Sequence, residues 1–385
     1  MGIAKRLLEE DEDRGFSLNP GKIACSECFE DEGIKEFIAS NPAPDSANCS
    51  FCSDHAESPI NRSLDDIIRH ILTRLETIWE NPVNESPYNG REGGFQYETF
   101  TTRDLLDQYQ LTDCENLCTE ISNAILNECW SRKNYYSLTE NETLTSAWES
   151  FCSHIKHNSR YFFLDAQNHD YDKDQHDEIN PVEILGILAN LFVEDTIPVN
   201  QSIYRARFDH DKANHNTKES LGKPPPKAAL PNRMSPSGIS MFYGAFALDT
   251  AIAETYSKTG PHSRGYWGHF KSTKILRMIR LPSEITITIS SLFGDEFKEM
   301  GKKIFLRNFI VDFTKHVDKK SNDDSAIEYV PTQVVTEYIR HILKLSSGAS
   351  YDGIIHPSSV NQKDAIVLFD DEELNLLNWG FEDMP

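Results

Sequence analysis

The chain has 385 residues, 61 of them acidic and 38 basic, which gives a formal net charge of −23. Such a balance argues against broad, sequence-blind binding to nucleic acid, which relies on basic surface and counterion release. No apolar run approaches the ~20 residues of a membrane-spanning helix, while the length allows two or three domains and at least one large core.

The start, MGIAKRLLEEDEDRG, lacks the apolar stretch of a secretory signal, and Arg6 occupies the position where a myristoylation motif needs Ser or Thr. A cytoplasmic protein is expected. Cys25, Cys28, Cys49 and Cys52 then form two C-x2-C knuckles. Four thiolates so spaced suit a tetrahedral structural zinc site, and without a secretion signal disulfides are the weaker explanation. A closed four-sulfur site leaves no position for water, so its role is folding rather than catalysis.

From Ser63 the pattern is helical. Leu64, Ile67, Ile68, Ile71, Leu72, Leu75, Ile78 and Trp79 form a stripe, with Ser63 as cap and Pro82 as stop. Further helices are expected from about Asp104 to Trp130 and from Thr143 to His157. Cys114, Leu117, Cys118, Ile121, Ile125 and Cys129 fall on one helical face and read as core. The Arg-x4-His signature of a helical ribonuclease is absent, so His154 and His157 read as polar surface or core residues.

DAQNHDYDKDQHDEIN looks at first like a calcium loop, but Gln175 replaces the required glycine and Pro181 the bidentate glutamate. It reads as a solvated linker. Asn180 and Pro181 start the helix that runs through VEILGILANLFVED. Beyond it, SIYRARF, GISMFYGA, KILRMIRL, YDGIIHP and AIVLF read as strands. Helices near Asp249–Ser257, Glu296–His316 and Thr332–Lys344 lie between them.

Polar residues gather at the ends of these strands. Arg205 and Arg207 share a strand face, Arg233 precedes the strand that carries Tyr243, and Asp249 can cap the helix that carries Glu254. Ser358 and Ser359 follow a buried strand, a usual place for a ligand site in an open sheet. Taken singly each is ordinary; an arginine in a strand is usually a surface residue.

Together with YRAR, LGKPPPKAALPNRMSPSGISMFYGAFALDTAIAE, EYVPTQVVTEYIR, YDGIIHPSS and AIVLF, taken in that order, the second half resembles the RES family. It looks like the long branch, in which a Cys-rich and helical region, similar to the HEPN/RES N-terminal type, precedes the RES domain. The resemblance implies a fold like that of ADP-ribosyltransferase toxins and an enzyme that attacks NAD as its substrate. It gives Arg205, Glu254 and Ser358 as the family's arginine, glutamate and serine, with Arg233 and Tyr243 as further site positions. Asn232 departs from the glycine that often precedes the arginine, and Ser359 leaves the serine's register open by one.

These residue types suit the implied chemistry. Breaking the nicotinamide–ribose bond develops an oxocarbenium ion that a carboxylate such as Glu254 stabilises. Arg205 and Arg233 match the two charges of a pyrophosphate, Tyr243 offers a flat face to a base, and Ser358 orients rather than attacks.

The fold expected is multidomain: a small four-cysteine zinc-ribbon-like module at 1–60, an all-α domain at 61–195 with an acidic linker near 165–180, an α+β RES domain at 196–370 with an ADP-ribosyltransferase-like sheet core, and an acidic C-terminal tail at 371–385. The function expected is an NAD glycohydrolase or phosphorylase acting as a toxin or antiviral-defence effector. A mono-ADP-ribosyltransferase and a non-catalytic nucleotide-binding zinc adaptor stay open, as do an antitoxin or regulatory partner and a homo-oligomer.

Overall fold

The computed structural model describes residues 3–43, 48–52, 60–161, 183–209, 215–256, 264–315 and 325–383. The acidic linker near 165–180 and the Asn180–Pro181 helix start lie outside the described residues. The chain divides into two compact units: Met1–Thr139 with Ile289–Lys303, and Glu140–Thr288 with Ile304–Pro385.

The first unit runs α1 (Ile3–Arg14), β1 (Ile23–Cys25), α2 (Glu32–Ser40), β2 (Asn61–Ser63), α3 (Leu64–Leu75), β3 (Trp79–Glu80), α4 (Pro82–Glu85), β4 (Tyr88–Asn89), β5 (Gly94–Phe95), β6 (Phe100–Thr101), α5 (Thr102–Gln108), α6 (Glu115–Ala124) and β7 (Cys129–Arg132). The expected stripe is buried on α3 from Leu64 to Leu75, but the helix stops there. Trp79 instead pairs with Arg132 in a short β3–β7–β6 sheet. Ser63 precedes α3 without making a side-chain cap.

The helix expected over Asp104–Trp130 breaks into α5, α6 and β7. A capping box of Thr101 and Asp104 starts α5, and Gln110 at a left-handed φ of 49° ends that run. One core joins Phe16, Cys25, Cys28 and Ile34 to the α3 stripe, Leu117, Ile121, Trp130, Leu292 and Phe293. The Cys-rich and helical regions are therefore a single folding unit rather than separate domains at 1–60 and 61–195. The returning segment packs tightly: a Cβ on Gly33 would lie 2.4 Å from the Gly294 nitrogen.

The second unit opens with α7 (Glu140–His157), α8 (Glu183–Leu191), β8 (Val193–Ile197) and β9 (Ser202–Asp209). Next come α9 (Lys218–Leu221), β10 (Phe242–Ala245), α10 (Leu248–Tyr256), β11 (Arg264–Ser272) and β12 (Leu276–Arg280). It ends with α11 (Met300–Thr314, of which the last residues from Ile304 belong here), α12 (Ser325–Glu328), α13 (Val330–His341), β13 (Gly353–Pro357), β14 (Asp364–Leu368) and β15 (Leu374–Asp383). Among the described residues eight strands form one mixed sheet, in the order β15-β11-β9-β10-β14-β13-β12-β8. Its one parallel pair is β12 with β13.

The structure corrects three expectations. Val193–Asp195, read as the end of a helix, belong to β8 and pair with Met278–Arg280. The strand β11 has no counterpart in the sequence reading. The expected acidic tail at 371–385 is in large part the edge strand β15, whose Leu374 is buried and whose Phe381 faces Tyr266. Leu374 is buried, whereas Leu377, Trp379 and Phe381 stay largely exposed, so it is the long backbone pairing with β11 that holds this strand.

The sheet must curl. Only three residues join β11 to β12, a reach of about 15 Å, while five strand spacings of about 4.8 Å separate them in a flat sheet. The concave face closes over Ile203, Phe242, Phe270, Met278, Ile355 and Ile366. The convex face carries α7, α8, α11 and α13 on Ile279, Ile354 and Val367, and α10 on Ala206 and Ala245.

Candidate active site

Arg233 sits at a tight turn. Asn232 and Ser235 exchange backbone hydrogen bonds across it, at 2.9 and 3.3 Å. Helix α13 clamps this turn from the side. Thr332 Oγ1 donates to the Arg233 carbonyl at 2.5 Å, and Gln333 Nε2 donates to the Asn232 carbonyl at 2.8 Å. Thr332 and Gln333 lie in the EYVPTQVVTEYIR segment without any role read from the sequence; the signal was a pair of polar residues on an otherwise apolar helical face. The acceptor is the Asn232 backbone carbonyl, which a glycine at this position would offer equally. Gly238, at φ 83°, then turns the chain toward β10.

Within this turn the Arg233 guanidinium has no hydrogen bond or ion pair among the described residues, and its Nε is buried. Burial lowers its pKa, and the opposing influence felt most is the charge of Glu254, followed by Tyr329 and Tyr243. Tyr243 shares the convex face: its hydroxyl lies 2.8 Å from Ser235 Oγ, and burial pushes its pKa up to about 12. A neutral phenol is held there across the physiological range.

Glu254 lies on α10, whose Ala251 and Ile252 pack on Ala206 and Ala245. Asp249 falls in the first turn of that helix rather than capping it, and is held by Lys363 at 2.5 Å. The Lys363 ammonium keeps the Asp249 carboxyl below the usual carboxylate range. The same β13–β14 loop reaches Glu254. Its Oε1 accepts from Ser358 Oγ at 2.5 Å, Ser359 N at 2.9 Å and Ser359 Oγ at 3.4 Å. Ser358 is fully buried, and its Oγ also accepts from the Val360 amide at 3.2 Å. Ser358 makes the shorter side-chain bond to the carboxylate, and Ser359 contributes through its backbone.

Arg205 is placed differently from the expected arginine pair. Strand alternation puts it on the concave face with Ile203, its guanidinium 5.1 Å from the Phe242 ring. Its Nη1 donates to the Tyr243 carbonyl at 3.1 Å, where β9 and β10 are joined through the single pair Ala245 and Tyr204. Burial brings its pKa down to about 10, and the charges it feels are Arg207, Asp371 and Tyr243. Arg233 feels the charge of Glu254, and Arg205 supports β10 through its bond to the Tyr243 carbonyl.

Residues 202–378 match the RES domain, and residues 43–169 match the HEPN/RES N-terminal domain 1. The chain carries a RES domain preceded by an HEPN/RES N-terminal domain 1. No curated protein and no solved structure matches it. The RES match covers Arg205, Arg233, Tyr243, Glu254 and Ser358, and runs past the expected end at 370 into β15. The N-terminal match runs past Thr139, where the first unit ends, and takes in the whole of α7, which packs in the second.

The chain also has a metal-ready cluster. Sγ atoms of Cys25, Cys28, Cys49 and Cys52 all lie within 4.8 Å of one another. Cys25 stands 3.5 Å from Cys28 and from Cys52, and Cys28 3.7 Å from Cys49. A disulfide needs about 2.05 Å, whereas four sulfurs around one ion at about 2.3 Å are some 3.8 Å apart. The donor set fits a single tetrahedral ion. Burial drives the Cys25 thiol up to about 12 in the absence of a countercharge, a cost that a bound cation reverses.

No helix among the described residues is long and apolar enough to cross a membrane.

Proposed function

We propose that the RES domain cleaves NAD at the nicotinamide–ribose bond, passing the ADP-ribosyl group to water or phosphate. The observation that carries this reading is the Glu254 carboxylate, fixed by Ser358 and Ser359 next to an arginine that has no partner among the described residues. As the C–N bond breaks, its electron pair leaves with nicotinamide and positive charge gathers on the ribose. Glu254 stabilises that charge, and its bonds from Ser358 and Ser359 keep it from moving as the charge develops. Water or phosphate then adds to the ribose carbon; where water adds, a proton is released.

Ser358 gives its proton to Glu254 and a lone pair to Val360, which makes it a positioning residue rather than a nucleophile. Arg233 takes an anionic part of the substrate, because a half-buried guanidinium without a partner among the described residues gains most from one. Tyr243 offers its ring to the substrate side of the sheet. Arg205 acts through the Tyr243 carbonyl, holding β10 in place. The four cysteines hold a structural zinc, which when bound supplies folding energy. Depletion of NAD by such an enzyme would make it a toxin or an antiviral-defence effector inside a cell.

Purified protein incubated with NAD, with and without phosphate, tests the reading by mass spectrometry of the products. Nicotinamide with ADP-ribose or its 1″-phosphate is expected. Intact NAD after incubation with folded, metal-loaded protein would sink it, and a Glu254→Gln protein of wild-type rate would remove Glu254 from the chemistry.

A further inference from the structure

Beside Arg233 the second unit holds a cavity of about 360 Å³ that Glu254, Tyr243 and Ser358 do not line. One wall is a face of α7, with Glu149, Ser153 and His157 exposed along it. The other is built by Arg233, Tyr329 and Lys315. Ligand cavities of this size hold a nucleotide-sized group, mostly on apolar and aromatic surface with a few polar anchors. Here the aromatic surface is the half-exposed Tyr329, and the anchor is Arg233, whose guanidinium is unpartnered among the described residues.

Three of the charged groups around the cavity are engaged within the protein, while Glu149 and Lys315 are exposed on opposite walls. Lys156 pairs with Glu328 at 2.7 Å, and Asp312 accepts from the Trp148 indole at 3.4 Å. Arg233 lines this cavity and also feels the charge of the Glu254 carboxylate, which links the two. A dinucleotide whose reacting ribose lies at Glu254 would bring its phosphates to Arg233 and its far half into the cavity.

We infer that this cavity binds the adenosine-phosphate half of the dinucleotide, so that α7, a helix outside the RES-matched segment, forms part of the substrate site. This rests on the NAD-cleaving reading above. It gives α7 a reason to pack with the sheet unit instead of the unit that precedes it in sequence. It also predicts that a RES domain cut at residue 202 lacks half of its substrate site.

Ser153 and Glu149 are exposed on α7, so Ser153→Trp and Glu149→Trp fill the cavity mouth without touching the core. Calorimetric titration of the full chain with AMP and, separately, with nicotinamide mononucleotide reads the two halves apart. Both variants should weaken AMP at least tenfold and leave nicotinamide mononucleotide within about twofold, at an unchanged melting temperature. The KM for NAD should rise with little change in kcat. AMP affinity unchanged in both variants overturns the inference, as does a wild type that cleaves NAD and does not bind AMP. Equal loss of both halves in variants of normal melting temperature also overturns it. A wild type that binds AMP in this cavity but leaves NAD intact overturns the cleavage reading alone.

Discussion

The cysteine cluster of the first unit and the Glu254 cluster of the second are both convergent polar sites, yet their polar groups are used in opposite ways. Four sulfurs stand within 4.8 Å of one another around a shared centre, two of the cysteines buried and two half-buried. At Glu254 the carboxylate is pinned by the β13–β14 loop, while the half-buried Arg233, which feels its charge, has a guanidinium bonded to nothing among the described residues. A site that stabilises a fold uses every group on one ion. A site that acts on a substrate keeps a strong donor in reserve.

Removing the ion breaks the comparison most severely. Cys25→Ser with Cys28→Ser should abolish one bound metal per chain in elemental analysis, and should cost the first unit on the order of 10 kcal/mol of folding energy. In calorimetry the first unit should melt early while the second keeps its transition. Metal-free protein with wild-type melting would show that the sulfurs are core packing only.

At the other site Glu254→Gln keeps shape and removes charge. Turnover should fall roughly 10²–10³-fold, about 3–4 kcal/mol, with NAD affinity much less affected because the carboxylate helps most in the transition state. Equal losses in binding and turnover would make Glu254 a binding group instead.

The two arginines sharpen the contrast further. Arg233→Ala should raise the KM for NAD roughly tenfold or more and leave the melting temperature near wild type, since no internal bond is lost. Arg205→Ala strips the Tyr243 carbonyl of its donor and should destabilise the second unit by about 1–3 kcal/mol, lowering kcat through a displaced β10. A reversal of these two patterns would exchange the two roles. Comparable in stability but silent in activity is Gly33→Ala, which forces the Gly294 backbone away and should cost the first unit about 1–3 kcal/mol without changing NAD turnover.

Much of the site was legible in the chain. Glu254, Ser358, Tyr243 and Arg233 each sit beside a strong local signal: a strand end, a helix start or a turn. Arg205 was legible as a strand residue but its burial beside Phe242 was not, because strand alternation says which residues share a face and not what that face packs against. Thr332 and Gln333 were hidden because their partners lie about a hundred residues earlier, beyond any local pattern.

By itself the sequence determined the C-x2-C knuckles, the α3 stripe, the core strands β9, β12, β13 and β14, and the RES constellation, all of which depend on neighbours a few residues apart. Only the tertiary structure decided the rest. It merged the cysteine and helical regions into one core, carried residues 289–303 back into that core, gave α7 to the sheet unit and turned an acidic tail into an edge strand. It also put Arg205 and Glu254 on opposite faces of a curled sheet. The physical reason is common to all of these. Burial stabilises whichever surfaces meet, however far apart they lie along the chain, and local propensity carries no record of that meeting.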